Sequence, residues 1–204
     1  MGVLVTRTIF LIVASGIALH SRRVEGHGYL VSPRSRNLLA YEETNWVSQT
    51  ADNPEPETCP QCLNQGGSRA RCGIAGKHNY DAPRNALGGL MKTNIQATYT
   101  QGQEIVMDVT LTAHHKGHFV FSACPIMHGE IPSQTCFDRH QLTFVEDLIH
   151  DADFDPNYPE RAYIAPVEGP EKVRTNWRAN GVANYSFKMR LPSDLYGDIV
   201  LIQW

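Results

Sequence analysis

The sequence predicts an all-β sandwich that carries a large loop-rich insertion near its N-terminus. Three observations lead there: apolar and polar residues alternate with a period of two in the second half of the chain, turn-forming residues separate those segments, and no long amphipathic helix is present. The chain has 204 residues, 42% of them hydrophobic and 19% charged, which excludes a disordered or collagen-like protein and fits one domain.

Residues 1–26 are predicted to stand apart from that domain. Arg7 precedes an apolar stretch, Ile9–Leu19, and a short polar segment ends at Val24-Glu25-Gly26, the layout of a secretory signal peptide. Eleven residues are too few to cross a bilayer. Cleavage after Gly26 would lower Lys plus Arg from 18 to 15 and Asp plus Glu from 21 to 20, leaving a mature chain with net charge −5. No basic stripe remains to displace counterions from phosphate, so nucleic acid is excluded as a partner. No later apolar run is long enough for a membrane span, and the mature protein is expected outside the cell as a monomer.

From His27 to about Tyr99, Pro, Gly, Asn and Asp interrupt any periodicity, which predicts loops with helical turns at Glu42–Trp46 and Asn85–Met91. The texture changes at Glu104. Ile105, Met107, Val109 and Leu111 alternate with Val106, Asp108 and Thr110, a strand with one buried face. Further strands are predicted at His118–Ala123, Gln141–Glu146, Tyr163–Ala165, Tyr185–Leu191 and Asp198–Trp204. In Tyr185–Leu191, Tyr185, Phe187, Met189 and Leu191 share one face while Ser186, Lys188 and Arg190 share the other. Asn184-Tyr185-Ser186 also matches the N-glycosylation pattern.

All five cysteines lie after the leader, and an exported chain uses them for disulfides. Cys124 and Cys136 bracket a short loop with Pro125, Gly129 and Pro132 and are expected to pair. Cys59, Cys62 and Cys72 would supply a second bridge and leave one thiol over. A zinc site at Cys59-Pro-Gln-Cys62 is disfavoured because no second cysteine pair accompanies it.

Two histidine features stand out. Cleavage after Gly26 makes His27 the first residue, placing a free amine and an imidazole on one side chain and backbone. The segment His114-His115-Lys116-Gly117-His118 lies where one strand ends and the next begins. An N-terminal histidine can chelate through its amine and Nδ1, and one further imidazole completes a planar three-nitrogen set of the kind Cu(II) prefers. The spacing of His114 and His118 also matches a helical zinc motif, but its flanks read as strand and no Glu follows the first histidine. His78, His128, His140 and His150 read as loop or surface histidines.

His27-Gly28-Tyr29-Leu30 with Pro33-Arg34-Ser35-Arg36-Asn37, and Thr112-Ala113-His114-His115-Lys116-Gly117-His118-Phe119-Val120-Phe121 followed by Cys124-Pro125, resemble the lytic polysaccharide monooxygenases of the chitin-binding type-4 family. The resemblance spans nearly all of residues 27–204. It implies a secreted enzyme with an immunoglobulin or fibronectin-III-like antiparallel β-sandwich and one copper ion cycling between Cu(II) and Cu(I). An external electron donor and O2 or H2O2 would drive oxidation at C1–H or C4–H of an insoluble polysaccharide, with chitin or cellulose as the first candidates and pectin as a further one. His27 would supply the amine and Nδ1, and His115 the third nitrogen, since His114 falls where family members carry Asn. His118, Arg161 and Tyr29 are expected to adjoin the metal or the substrate, and Tyr41 and Trp46 are candidates for stacking on sugar rings. Family members continue past a run like Leu201-Ile202-Gln203-Trp204 into a segment with an axial Tyr or Phe and another cysteine, so the resemblance implies that this chain stops short of its domain's end. A glycoside hydrolase is disfavoured because nothing pairs two carboxylates across a cleft. A non-catalytic glycan- or copper-binding module of the same fold is the rival reading.

Overall fold

The computed structural model describes residues 27–43, 46, 56, 58, 74–75, 78–113, 116–164 and 183–204. The leader, Cys59, Cys62, Cys72, His114 and His115 lie outside them, as does Ala165 at the end of one predicted strand.

The larger layer is an antiparallel sheet in the order β1-β4-β9-β7, built from β1 (His27–Ser32), β4 (Glu104–Ala113), β9 (Ala183–Arg190) and β7 (Thr143–Asp147). The alternation that predicts β4 and β9 sets their faces: Ile105, Met107, Val109 and Leu111 of β4 and Tyr185, Phe187 and Met189 of β9 are buried in one core. The opposite face is polar and paired across the strands. Thr110 Oγ1 donates to Asn184 Oδ1 at 2.8 Å, Ser186 Oγ to Asp108 Oδ1 at 2.6 Å, and Lys188 Nζ to Glu146 Oε2 at 2.5 Å. Asn184, the glycosylation candidate, therefore has its side-chain oxygen engaged within the sheet.

Across the core lie two two-stranded ribbons, β5 (His118–Val120) with β8 (Arg161–Tyr163), and β6 (Ser122–Ile126) with β10 (Ile199–Gln203). The single strand predicted over His118–Ala123 is thus divided, with Phe121 at the point where the chain changes partner. Phe119, Phe121 and Phe187 pack with ring centroids 5.5–6.3 Å apart and close the core between the layers. Antiparallel sheets facing each other across an aromatic core make this an all-β sandwich, as the alternation predicted.

The Cys124–Cys136 bridge forms, with Cα atoms 5.3 Å apart. It ties β6 to α2 (Gln134–Arg139), whose N-cap Ser133 accepts from the Cys136 N–H at 3.2 Å. The predicted loop after Cys124 thus contains a helix too short to show periodicity.

The N-terminal region departs most from expectation. Residues 27–32 are not loop but the edge strand β1, and a helix, α1 (Arg36–Glu42), precedes the predicted turn at Glu42–Trp46. α1 buries Leu38, Leu39 and Ala40. The expected helical turn at Asn85–Met91 is instead a tight loop closing an Arg84–Leu90 bridge. Asn85 dictates it: its Oδ1 accepts from the N–H groups of Leu87 and Gly89, and Gly88 takes the left-handed conformation at φ 82°. Two further short strands, β2 (Ile74–Ala75) and β3 (His78–Asn79), pair with each other.

Candidate metal centre

His27 begins β1 and lies opposite Ala113, the last residue of β4. A register shift falls between His27 and Gly28, so the first residue is turned relative to the ladder that follows. His27 is half-buried. The strand can approach β4 this closely only because position 28 is glycine: a Cβ there would stand 2.4 Å from the Thr110 carbonyl oxygen and 2.9 Å from Leu111 Cδ2. Gly28 N–H also donates to the Thr58 carbonyl at 3.1 Å. Leu30 anchors the strand in the core, and both the N–H and the hydroxyl of Ser35 donate to the Leu30 carbonyl, turning the chain into α1.

The chain leaves Ala113 through His114 and His115 and re-enters the described residues at Lys116. Lys116 and Gly117 both have left-handed backbones, φ 66° and 104°, which makes this the sharp turn between β4 and β5. His118, the first residue of β5, is exposed and lies opposite Tyr163 of β8, its ring meeting the tyrosine edge-on at 5.6 Å. Partial desolvation, then the positive charge of Arg161, hold its pKa below the ordinary histidine value, while Glu160 opposes the shift. Arg161 does not reach outward alone. Its guanidinium lies 3.6 Å above the Tyr158 ring and its Nε is 3.6 Å from Glu160. Tyr163 Oη donates to Asp155 Oδ2 at 3.1 Å.

The structure therefore brings His27 to the end of β4 that leads into His114-His115, and places His118 on the ribbon beyond that turn. Tyr29 lies in β1 opposite Thr110 and is half-buried. Trp46 is not a sugar platform: it is 8% exposed, packs against Tyr80, donates from Nε1 to Glu43 Oε2, and anchors a small second core with Leu39 and Ala40. Tyr41 stays exposed. Of the remaining histidines, His140 reaches the Cys136 carbonyl, His128 meets Thr93 Oγ1 at 2.7 Å, and His150 packs on Tyr185 with Nε2 3.0 Å from the Asn184 carbonyl oxygen.

Among the described residues no group of three or more His, Cys, Asp or Glu gathers as a metal site. A set made of one histidine, its own terminal amine and a second histidine at 115 is not of that type, and its donor chemistry suits copper: three nitrogens, no carboxylate, no thiolate. A cavity of about 1200 Å³ has segment 91–101, β10, Gly28 and His118 in its wall, and His27 takes no part in that wall. No helix among the described residues is long and apolar enough to cross a membrane.

The family described as lytic polysaccharide mono-oxygenase, cellulose-degrading, matches residues 27–204. No curated protein and no solved structure matches the chain.

Proposed function

We propose that this chain, which belongs to the family of cellulose-degrading lytic polysaccharide mono-oxygenases, is exported with cleavage after Gly26 and works as a copper enzyme on the surface of an insoluble polysaccharide, cellulose foremost and chitin next. The observation that carries the reading is the register of β1 on β4. His27, where the family match begins, pairs with Ala113, two residues of chain from His115. At no more than about 3.6 Å per residue, His115 stays within about 7 Å of the residue facing His27.

His27 would hold the metal through its terminal amine and Nδ1, and His115 through one imidazole nitrogen. When bound, copper supplies the redox chemistry, drawing electrons from an external donor and using O2 or H2O2 against C1–H or C4–H of the glycan. The rest is done by the chain. β1, locked against Thr110 and Leu111 by the missing side chain at Gly28, fixes the direction of the His27 backbone nitrogen. The amine and imidazole nitrogens must shed protons to bind, so affinity falls as pH falls. Any residue left in front of His27 converts its amine into an amide and removes one donor. That dependence ties the activity to export and processing.

The test is incubation of protein starting at His27 with copper, ascorbate and crystalline cellulose or chitin, with products read by mass spectrometry. Aldonic-acid or C4-oxidised oligosaccharides are expected. Binding to the polymer without oxidised products would assign the chain to a non-catalytic module instead.

A further inference from the structure

We propose that the outward face of the β5–β8 ribbon is a track for one chain of an uncharged polysaccharide, with Tyr158 as its stacking residue and Arg161 holding that ring in place. The inference rests on the polysaccharide reading above and narrows it to uncharged polymers. In a strand, successive side chains take opposite sides. Phe119 and Ala162, paired with each other, are buried in the core, so His118, Val120, Arg161 and Tyr163 stand on the outer side. His118 meets Tyr163 edge-on at 5.6 Å, and Arg161 lies two residues before Tyr163 on the same face. The Arg161 guanidinium is 3.6 Å from the centre of the Tyr158 ring, and the Arg161 N–H donates to the Tyr158 carbonyl at 3.0 Å. A row of side chains therefore runs from His118 to Tyr158. Its near end is fixed by the Ile164 N–H, which donates to the Gly117 carbonyl at 3.0 Å. His118 is three residues from His115, a reach of no more than about 11 Å.

Three features fit this row to a neutral glycan. Tyr158 is 45% exposed and its ring meets no second aromatic among the described residues, whereas Phe154, exposed to a similar degree, lies parallel to Phe144. A pyranose offers apolar C–H groups to such a ring and hydroxyls to the charged side chains beside it. The charges along the row are one guanidinium against two carboxylates: Glu160, 3.6 Å from Arg161 Nε, and Asp155, which accepts from the Tyr163 hydroxyl at 3.1 Å. His118 adds no charge at neutral pH, since desolvation and then Arg161 hold its pKa below the ordinary histidine value. That balance leaves no surplus cation along the row to attract a polyuronate. Finally, Tyr158, Arg161, Tyr163 and His118 each already rest against a neighbour, so little side-chain freedom is lost when a glycan settles on them.

The test measures adsorption to crystalline cellulose and to chitin, and retardation by polygalacturonate in affinity electrophoresis, for protein starting at His27 with and without Cu(II). Wild type is compared with Tyr158→Ala, Tyr158→Phe, Arg161→Gln and Tyr196→Ala, the last removing an exposed tyrosine outside the row. Circular dichroism and thermal melting check that each is folded, and Tyr158→Leu replaces Tyr158→Ala if the latter is not. Wild type is expected to adsorb to an uncharged polymer and to pass polygalacturonate unretarded. Tyr158→Ala should adsorb roughly 3–10-fold more weakly, with or without Cu(II) and with its melting unchanged. Arg161→Gln should show a smaller loss, while Tyr158→Phe and Tyr196→Ala should adsorb like wild type. Equal adsorption by Tyr158→Ala and wild type, a loss confined to the copper-loaded protein, or an equal loss in Tyr196→Ala would overturn the track and leave the polysaccharide reading standing. Retardation by polygalacturonate that Tyr158→Ala abolishes would overturn the restriction to uncharged polymers. A wild type that adsorbs to neither cellulose nor chitin would overturn the polysaccharide reading itself, and the track with it.

Discussion

β4 pairs with β9 through eight consecutive residues, Glu104 to Leu111, and is flanked on its other edge by β1, whereas across the core β5 holds β8 through three residues and β6 holds β10 through five. The first layer is a continuous ladder whose outer face carries matched polar pairs. The second is two short ribbons joined by a change of partner at Phe121, and it depends on aromatic packing and the Cys124–Cys136 bridge. His27 belongs to the ladder and His118 to the ribbons, so the proposed metal centre lies at the seam between a self-supporting layer and one supported by side chains. Damage to the core should unfold both, while damage at the seam should move the site before it unfolds the protein.

The largest effect is expected where the layers share one residue. Phe187 is fully buried and packs on Phe119, Phe121, Phe144 and Tyr185. Phe187→Ala should cost about 3–5 kcal/mol in denaturant unfolding. Loss of the covalent link should weaken the ribbon layer: Cys124→Ser with Cys136→Ser should cost about 2–4 kcal/mol, with amide exchange rising in β6 and α2 more than in β4 and β9. A smaller loss of stability, about 1–3 kcal/mol, is expected for Gly28→Ala, because the new Cβ meets backbone rather than a flexible side chain. Its larger consequence should be weaker Cu(II) binding, since β1 must shift away from Thr110 and carry His27 with it. Equal copper affinity in Gly28→Ala would sever the link between strand register and metal site.

The smallest effect concerns charge at the seam. His118 has its pKa lowered by burial and by Arg161, so the fold favours its neutral form. The stabilisation this gives is present above the ordinary histidine value of 6.5 and is lost as pH falls from there through the lowered folded value. In a nuclear magnetic resonance titration His118 should have its midpoint below that ordinary value, and Arg161→Gln should move it upward, with Glu160 then acting unopposed by the guanidinium. A midpoint that does not move in Arg161→Gln would mean that the guanidinium, held over Tyr158, does not act on the imidazole.

Much of the ladder layer was legible in the sequence. β4 and β9 run for ten and eight residues, and the apolar residues predicted to share one face of each are buried. β1 was hidden because Gly28 supplies neither β-propensity nor an apolar signal; its place is set by a close approach that only the partner strand reveals. α1 was missed because Leu38, Leu39 and Ala40 form one apolar run rather than spaced positions. The turn at Asn85 was misread as helical because an asparagine that accepts from two N–H groups imitates a helix start. For the proposed site, residue type singles out His27 and the His114–His118 segment, the family resemblance alone singles out His115, and among the described residues the β1–β4 register sets His27 opposite Ala113. The tie from β8 to Gly117 could not be foreseen, since it joins residues 47 positions apart through a backbone bond that leaves no mark on composition.

The central claim, that a processed His27 and His115 form one copper site, is tested most directly by Cu(II) titration with electron paramagnetic resonance on three proteins: the chain beginning at His27, the same chain with one alanine ahead of His27, and His115→Ala. The account predicts one tightly bound Cu(II) with three nitrogen ligands in the first protein and loss of that signal in the other two. The same three-nitrogen spectrum at the same affinity in either altered protein would contradict it.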